Sequence, residues 1–162
     1  MSHIPNLILA TLAGFLARLY MLRRDYRQYP SYPQGWAVHL FVGFIGAAIG
    51  AVVVPAVLDK EWAAVSFLIL AASQFREVRS VERETLRAME ATELVKRGTA
   101  YIEGIARVFE ARNYLSIWVA LVVAAAAELG PGSLWGKAAV CALVGAAAAW
   151  LLSGLMKGQK VG

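Results

Sequence analysis

The apolar positions along this chain fall into five blocks, at 4–22, 36–58, 62–75, 114–129 and 135–156, separated by short polar segments and one long charged one. A helix rises 1.5 Å per residue, so about 20 apolar residues match the core of a bilayer. The pattern predicts an all-α polytopic membrane protein with about five transmembrane helices, one membrane domain over 1–162, and a charged cytoplasmic helical segment at 76–113 between spans 3 and 4. The third block is the exception. As a helix it reaches roughly 21 Å, short of a core of about 30 Å. It either spans with local thinning or is a re-entrant or interfacial segment. The charge map favours a span, because only a crossing here puts both arginine-rich segments on one side.

The segment 76–112 holds eight basic residues and seven acids. From Arg76 to Arg97 no Gly or Pro interrupts a run of good helix formers, and Phe75, Val78, Leu86 and Met89 make a narrow apolar stripe suited to a helix–helix seam. Gly98-Thr99 is the natural break, with Thr99 as N-cap. In the helix that follows, Ile102, Ile105, Ala106 and Phe109 share one face, and Glu103, Arg107 and Glu110 share the opposite one at i, i+4 and i+7. Gly104 lies on the polar face, where a missing Cβ lets a partner approach or merely loosens the helix. Glu103 and Glu110 stand about 10 Å apart along the axis, with Arg107 between them to keep both ionised. A charge-paired face is the better reading than an acid/base pair. Glu103, Gly104, Arg107 and Glu110 are therefore the expected partner-binding residues.

The string Tyr101-Ile102-Glu103-Gly104-Ile105-Ala106 resembles the signature of the YIEGIA family of small bacterial membrane proteins, found mostly in spore-forming Gram-positive bacteria. The resemblance implies an integral membrane protein, a sporulation context and a small soluble cytoplasmic protein that caps it. It implies no reaction. Family members are often longer, so a function housed in a further C-terminal portion does not carry over.

Within the second block, Gly43, Gly46, Ala47 and Gly50 cluster on one face, and Gly46 with Gly50 makes a GxxxG pair. Small residues at this spacing let a second helix approach closely, in the same chain or in another copy. Arg18 is the one charge of the first block and lies a turn from its end, where a long side chain can snorkel to the interface. His39 reads as a satisfied or interfacial histidine, since no Asp or Glu lies in the centre of a span to pair with it.

Composition agrees with the pattern. Apolar residues are 59% of the 162, and mean hydropathy is +0.57. The net charge of +5 would suggest nucleic acid in a soluble protein. Here the basic residues flank apolar spans, and no recognition motif is present, so the positive-inside rule explains them and no nucleic-acid partner is expected. Thirteen basic residues fall on one side of a five-span layout and Lys60 and Lys137 on the other. This predicts a bacterial cytoplasmic membrane protein with its N-terminus outside and its C-terminus inside, in contact with membrane lipid. The single cysteine, Cys141, lies in an apolar block and forms no intrachain disulfide. No phosphate loop, metal-ligand cluster or nucleophile–base constellation is visible, so no cofactor, metal or catalytic residue is expected. The expected function is a membrane scaffold or complex-forming subunit that docks a small soluble partner through its charged helices. The alternative is a subunit of a homo-oligomeric channel assembled through the small-residue faces.

Overall fold

The computed structural model describes residues 3–25, 33–92, 96, 98–130 and 132–155. Among these residues six helices follow one another: α1 (Ile4–Asp25), α2 (Pro33–Leu58), α3 (Trp62–Ser73), α4 (Phe75–Glu90), α5 (Thr99–Leu129) and α6 (Leu134–Leu155). The predicted loop over 26–32, Pro131 of the turn before α6, and Lys157 and Lys160 lie outside the described residues. Among the described residues four helices are long and apolar enough to cross a membrane: Ile4–Arg23, Gly35–Leu58, Thr99–Leu129 and Leu134–Leu152. The chain is an all-α polytopic membrane protein.

The core is a three-helix contact of α1, α2 and α5, with α6 against α5 and α1 and with α4 against the first half of α5. It is built from small residues. Ala10, Ala17, Ala47, Ala51, Ala120, Ala124 and Ala127 are buried with Leu115, Val119 and Val123. Lipid is as apolar as Leu, so close approach of backbones and dispersion, not burial from water, hold such helices together. The small face predicted on α2 is used within the chain. A Cβ at Gly46 would stand 2.7 Å from Ser116 Oγ of α5, and one at Gly50 would collide with the backbone carbonyl of Ile117. Ala47 is fully buried, and a Cβ at Gly14 of α1 would lie 2.9 Å from its Cβ. Gly43 faces α1 and receives the stem of Arg18.

The third block departs from expectation. α3 has 12 residues and ends at Ser73, and Gln74 separates it from α4. At about 18 Å, α3 is too short to be a full span. The passage from one end of the bundle to the other is nevertheless completed by α3 and the first two turns of α4 together. α3 starts beside Asp59, which approaches His3 at the start of α1. Phe75 then packs edge-on against Tyr114, and Glu82 reaches His39 near the start of α2.

Three boundaries also shift. α4 ends at Glu90, short of residue 97. α2 begins at Pro33, where proline's fixed φ suits the first turn and its missing N–H costs nothing. The residue preceding α5 is Gly98, at φ +95°, and Thr99 is already helical. No side chain caps that end; instead the Gly98 N–H donates to Glu90 Oε1 at 2.6 Å, tying α5 back to the end of α4.

Candidate functional site

Two features of the fold concentrate chemistry: the charged pair α4/α5 and a buried polar bridge beneath it. The apolar faces of the pair meet as the helical spacing requires. Leu86 of α4 packs with Ile102 and Ile105 of α5, flanked by Met89 and Tyr101. Ala106 and Phe109 continue this buried face of α5 toward the core.

The polar faces meet as well. Arg79 on α4 inserts its guanidinium between the two acids of α5. Its Nη2 pairs with Glu103, and its Nη1 donates to Glu110 Oε2 at 3.0 Å. Arg83, one turn on, places Nη1 3.6 Å from Glu103 Oε2, and Arg107 lies 3.7 Å from the same carboxylate on its own helix. A planar fork with several donors suits one cation holding two carboxylates. The hydrogen bond it donates to Glu103 above all, and that to Glu110, hold the Arg79 guanidinium still more firmly protonated, against the opposing effect of burial.

This corrects one expectation. The stripe of Glu103, Arg107 and Glu110 does not simply face outward. Both acids are half-buried beneath α4, Gly104 is half-buried, and among these four residues Arg107 alone is exposed, at 69%. Arg79 was the missing member. Arg79 lies opposite both acids and Arg83 opposite Glu103, a complementarity readable only once the helices are known to be antiparallel neighbours. The outward surface of the pair belongs mainly to α4. Glu77, Val81, Glu84 and Ala88 recur at i, i+4, i+7 and i+11, and all are exposed, with Arg76 and Arg87 beside them.

The buried bridge joins α1, α2 and α4. Arg18 is fully buried, not snorkelling. Its stem fills the space left open by Gly43, and its guanidinium lies 5.6 Å from the centre of the Phe109 ring, within range of a cation–π attraction. Arg18 Nη2 donates to His39 Nδ1 at 3.1 Å. A guanidinium has only donors, so Nδ1 must accept and the ring proton sits on Nε2. Nε2 points to Glu82 Oε1 at 3.7 Å, too long for a direct hydrogen bond but within reach of charge. The His39 ring stands edge-on to Phe109, with centroids 4.3 Å apart. His39 therefore does have an acid to pair with. It comes from α4, beyond the apolar blocks, where no reading of the span centres would look. Burial pushes the Glu82 carboxyl above the usual carboxylate range, against the pull of Arg18.

At the opposite end of the bundle a second network closes the helix ends. His3 Nδ1 and Asn6 Nδ2 both donate to Glu128 Oε1 at 2.8 Å, and Lys137 Nζ donates to Asn6 Oδ1 at 3.2 Å. α1, α5 and α6 are thus tied where α5 ends and α6 begins. Among the described residues no group of three His, Cys, Asp or Glu side chains is placed to hold a metal ion. Cys141 is buried against α5.

A family profile described as "YIEGIA protein" matches residues 6–162. The chain is also similar to a Bacillus subtilis (strain 168) protein described as "Uncharacterized protein YphB", with 50% identity over 125 residues. That alignment takes in 77% of this chain and 42% of the relative, so the chain spans less than half the relative's length. No solved structure matches.

Proposed function

This chain belongs to the YIEGIA family, and on that premise we propose that it is an integral membrane scaffold whose α4/α5 pair docks a small soluble cytoplasmic protein in sporulating cells. The observation that carries the reading is the internal neutralisation of that pair. Arg79 and Arg83 satisfy Glu103 and Glu110, and Leu86 closes the seam, so the pair is a preformed platform. A helix pair already ordered on its inner side loses less freedom on binding, which suits partner recognition. The docking face is then the outer stripe of α4, centred on Val81 at 62% exposure and bordered by Glu77, Glu84 and Arg87, with Arg107 of α5 beside it. The basic residues that flank the spans support a cytoplasmic position for this end of the bundle, with the His3–Glu128 end outside. The small-residue face of α2 is spent within the chain, on Ser116, Ile117 and Arg18, which favours the scaffold over assembly of a channel through that face.

The test is affinity purification from membranes of the native host. The wild-type chain is expected to carry one soluble protein with it. Val81→Asp combined with Arg107→Glu should abolish that recovery and leave membrane abundance unchanged, since both side chains are exposed. An unchanged set of bound proteins, or a ring of identical copies with no soluble protein, would overturn the scaffold reading.

A further inference from the structure

α4 is bounded by two interruptions, Gln74 at its start and Gly98 with positive φ beyond its end. Beside the Arg79 and Arg83 pairs with α5, three of its side chains are buried against the rest of the protein: Phe75, Glu82 and Leu86. Two are apolar. The third is an acid, 6% exposed, delivered against a buried histidine and a buried arginine from two other helices. A helix that needed only to stay in place would be held better by an apolar residue at this position, because a buried ionised group costs more in desolvation than its partner usually returns.

We propose that α4 seats on the bundle in a proton-linked manner, with Glu82 as the titrating group and the Arg18–His39 pair as its receptor. The geometry assigns the proton to Glu82 and not to His39. Nδ1 of His39 already accepts from Arg18, so a second ring proton there would break that bond and oppose a cation. The other charged groups near Glu82 are committed elsewhere or on the flank. On α4 itself, Arg79 and Arg83 are turned to Glu103 and Glu110. From α5 the neighbour is the Phe109 ring, with Arg112 buried one turn further on. From α1 and α2 come Arg18 and His39.

The sign follows from linkage. Burial raises the Glu82 carboxyl above its ordinary range in the seated state, and Arg18 opposes this only in part. The seated state therefore binds the proton more tightly than a released α4 would. Seating is strengthened on acidification and weakened as pH rises through the seated-state value. The device works on the chain alone and does not depend on a docked partner.

The experiment measures distances between spin labels in the Cys141→Ser chain reconstituted in vesicles of phosphatidylcholine and phosphatidylglycerol, with pH equilibrated on both sides. One pair, Thr85→Cys on α4 and Ala100→Cys on α5, reports seating; both positions are exposed. A second pair, Leu12→Cys and Leu143→Cys, reports the bundle. Between about pH 5 and about pH 9 the first pair should pass from a single short distance to a mixture with a longer, broader component. The second pair should not move. Glu82→Gln, a neutral amide of the same shape, should abolish the response and keep α4 seated. If Glu82→Gln fails to reach the membrane, Glu82→Asp should move the midpoint, because it withdraws the carboxyl from His39. A fixed distance in the parent chain, a pH response retained in Glu82→Gln, an unmoved midpoint in Glu82→Asp, or movement of the second pair would each overturn the proposal.

Discussion

Gly43 lies directly against the aliphatic stem of Arg18, so close that a Cβ at position 43 would overlap Arg18 Cγ. The absence of one carbon on α2 is thus what lets a fully buried arginine of α1 lie between the helices and reach His39. Gly43→Ala should displace the guanidinium and loosen the bridge while leaving the α2/α5 contact at Gly46 and Gly50 in place. Overpacking of this kind costs about 1–3 kcal/mol. Thermal unfolding in detergent should show the loss. Arg18→Met in the same background should recover part of it, since an unbranched apolar chain bends round the new methyl and carries no charge to strand. If Gly43→Ala unfolds at the wild-type temperature, Arg18 has room to spare and the relationship is incidental.

The glycines of the bundle are not equivalent. At Gly50 a Cβ meets backbone of α5, which cannot turn aside. At Gly145 on α6 it meets the Val123 Cγ2 at 3.3 Å and the Ala13 Cβ at 3.4 Å, where a small adjustment suffices. Gly50→Ala is expected to lower abundance or stability by about 2 kcal/mol or more, and Gly145→Ala by less than about 1 kcal/mol. Ile45→Leu, at an exposed position, should be neutral. Equal behaviour of all three in detergent sizing and thermal melts would show that α2 and α5 do not approach as closely as described.

The side of the membrane on which each end lies is open to a direct test. In the Cys141→Ser chain, single cysteines at Lys60 and Ser133 sit by the His3–Glu128 end, and one at Thr92 sits beyond α4. A membrane-impermeant thiol reagent applied to intact cells should label 60 and 133 and spare 92 until the cells are opened. Labelling of position 92 from outside would place the α4/α5 pair away from the cytoplasm and remove the ground for a cytoplasmic partner.

Period and composition, read from the sequence alone, determined which elements exist and which residues share a face. Apolar blocks near bilayer length foretold α1, α2 and α6 within a few residues. The spacing of Ile102, Ile105, Ala106 and Phe109 foretold their common burial, because helical geometry places side chains whatever surrounds the helix. What each face meets was decided by the tertiary structure. Glu103 and Glu110 look outward on an isolated helix. They face inward here because α4 folds back antiparallel and supplies Arg79. Arg18, a turn from a helix end, has the sequence context of a snorkelling residue. Gly43 and Phe109, distant in the chain, give it a buried seat instead. His39 gained an acid that no inspection of the apolar blocks could offer, since Glu82 arrives from the charged helix beyond them. The third block was ambiguous by length; in the fold α3 and the first turns of α4 together run from one end of the bundle to the other. Helical period is a local property, carried by every few residues. The identity of a contact depends on how helices with long intervening chain are brought together, and that information is spread over all of them at once.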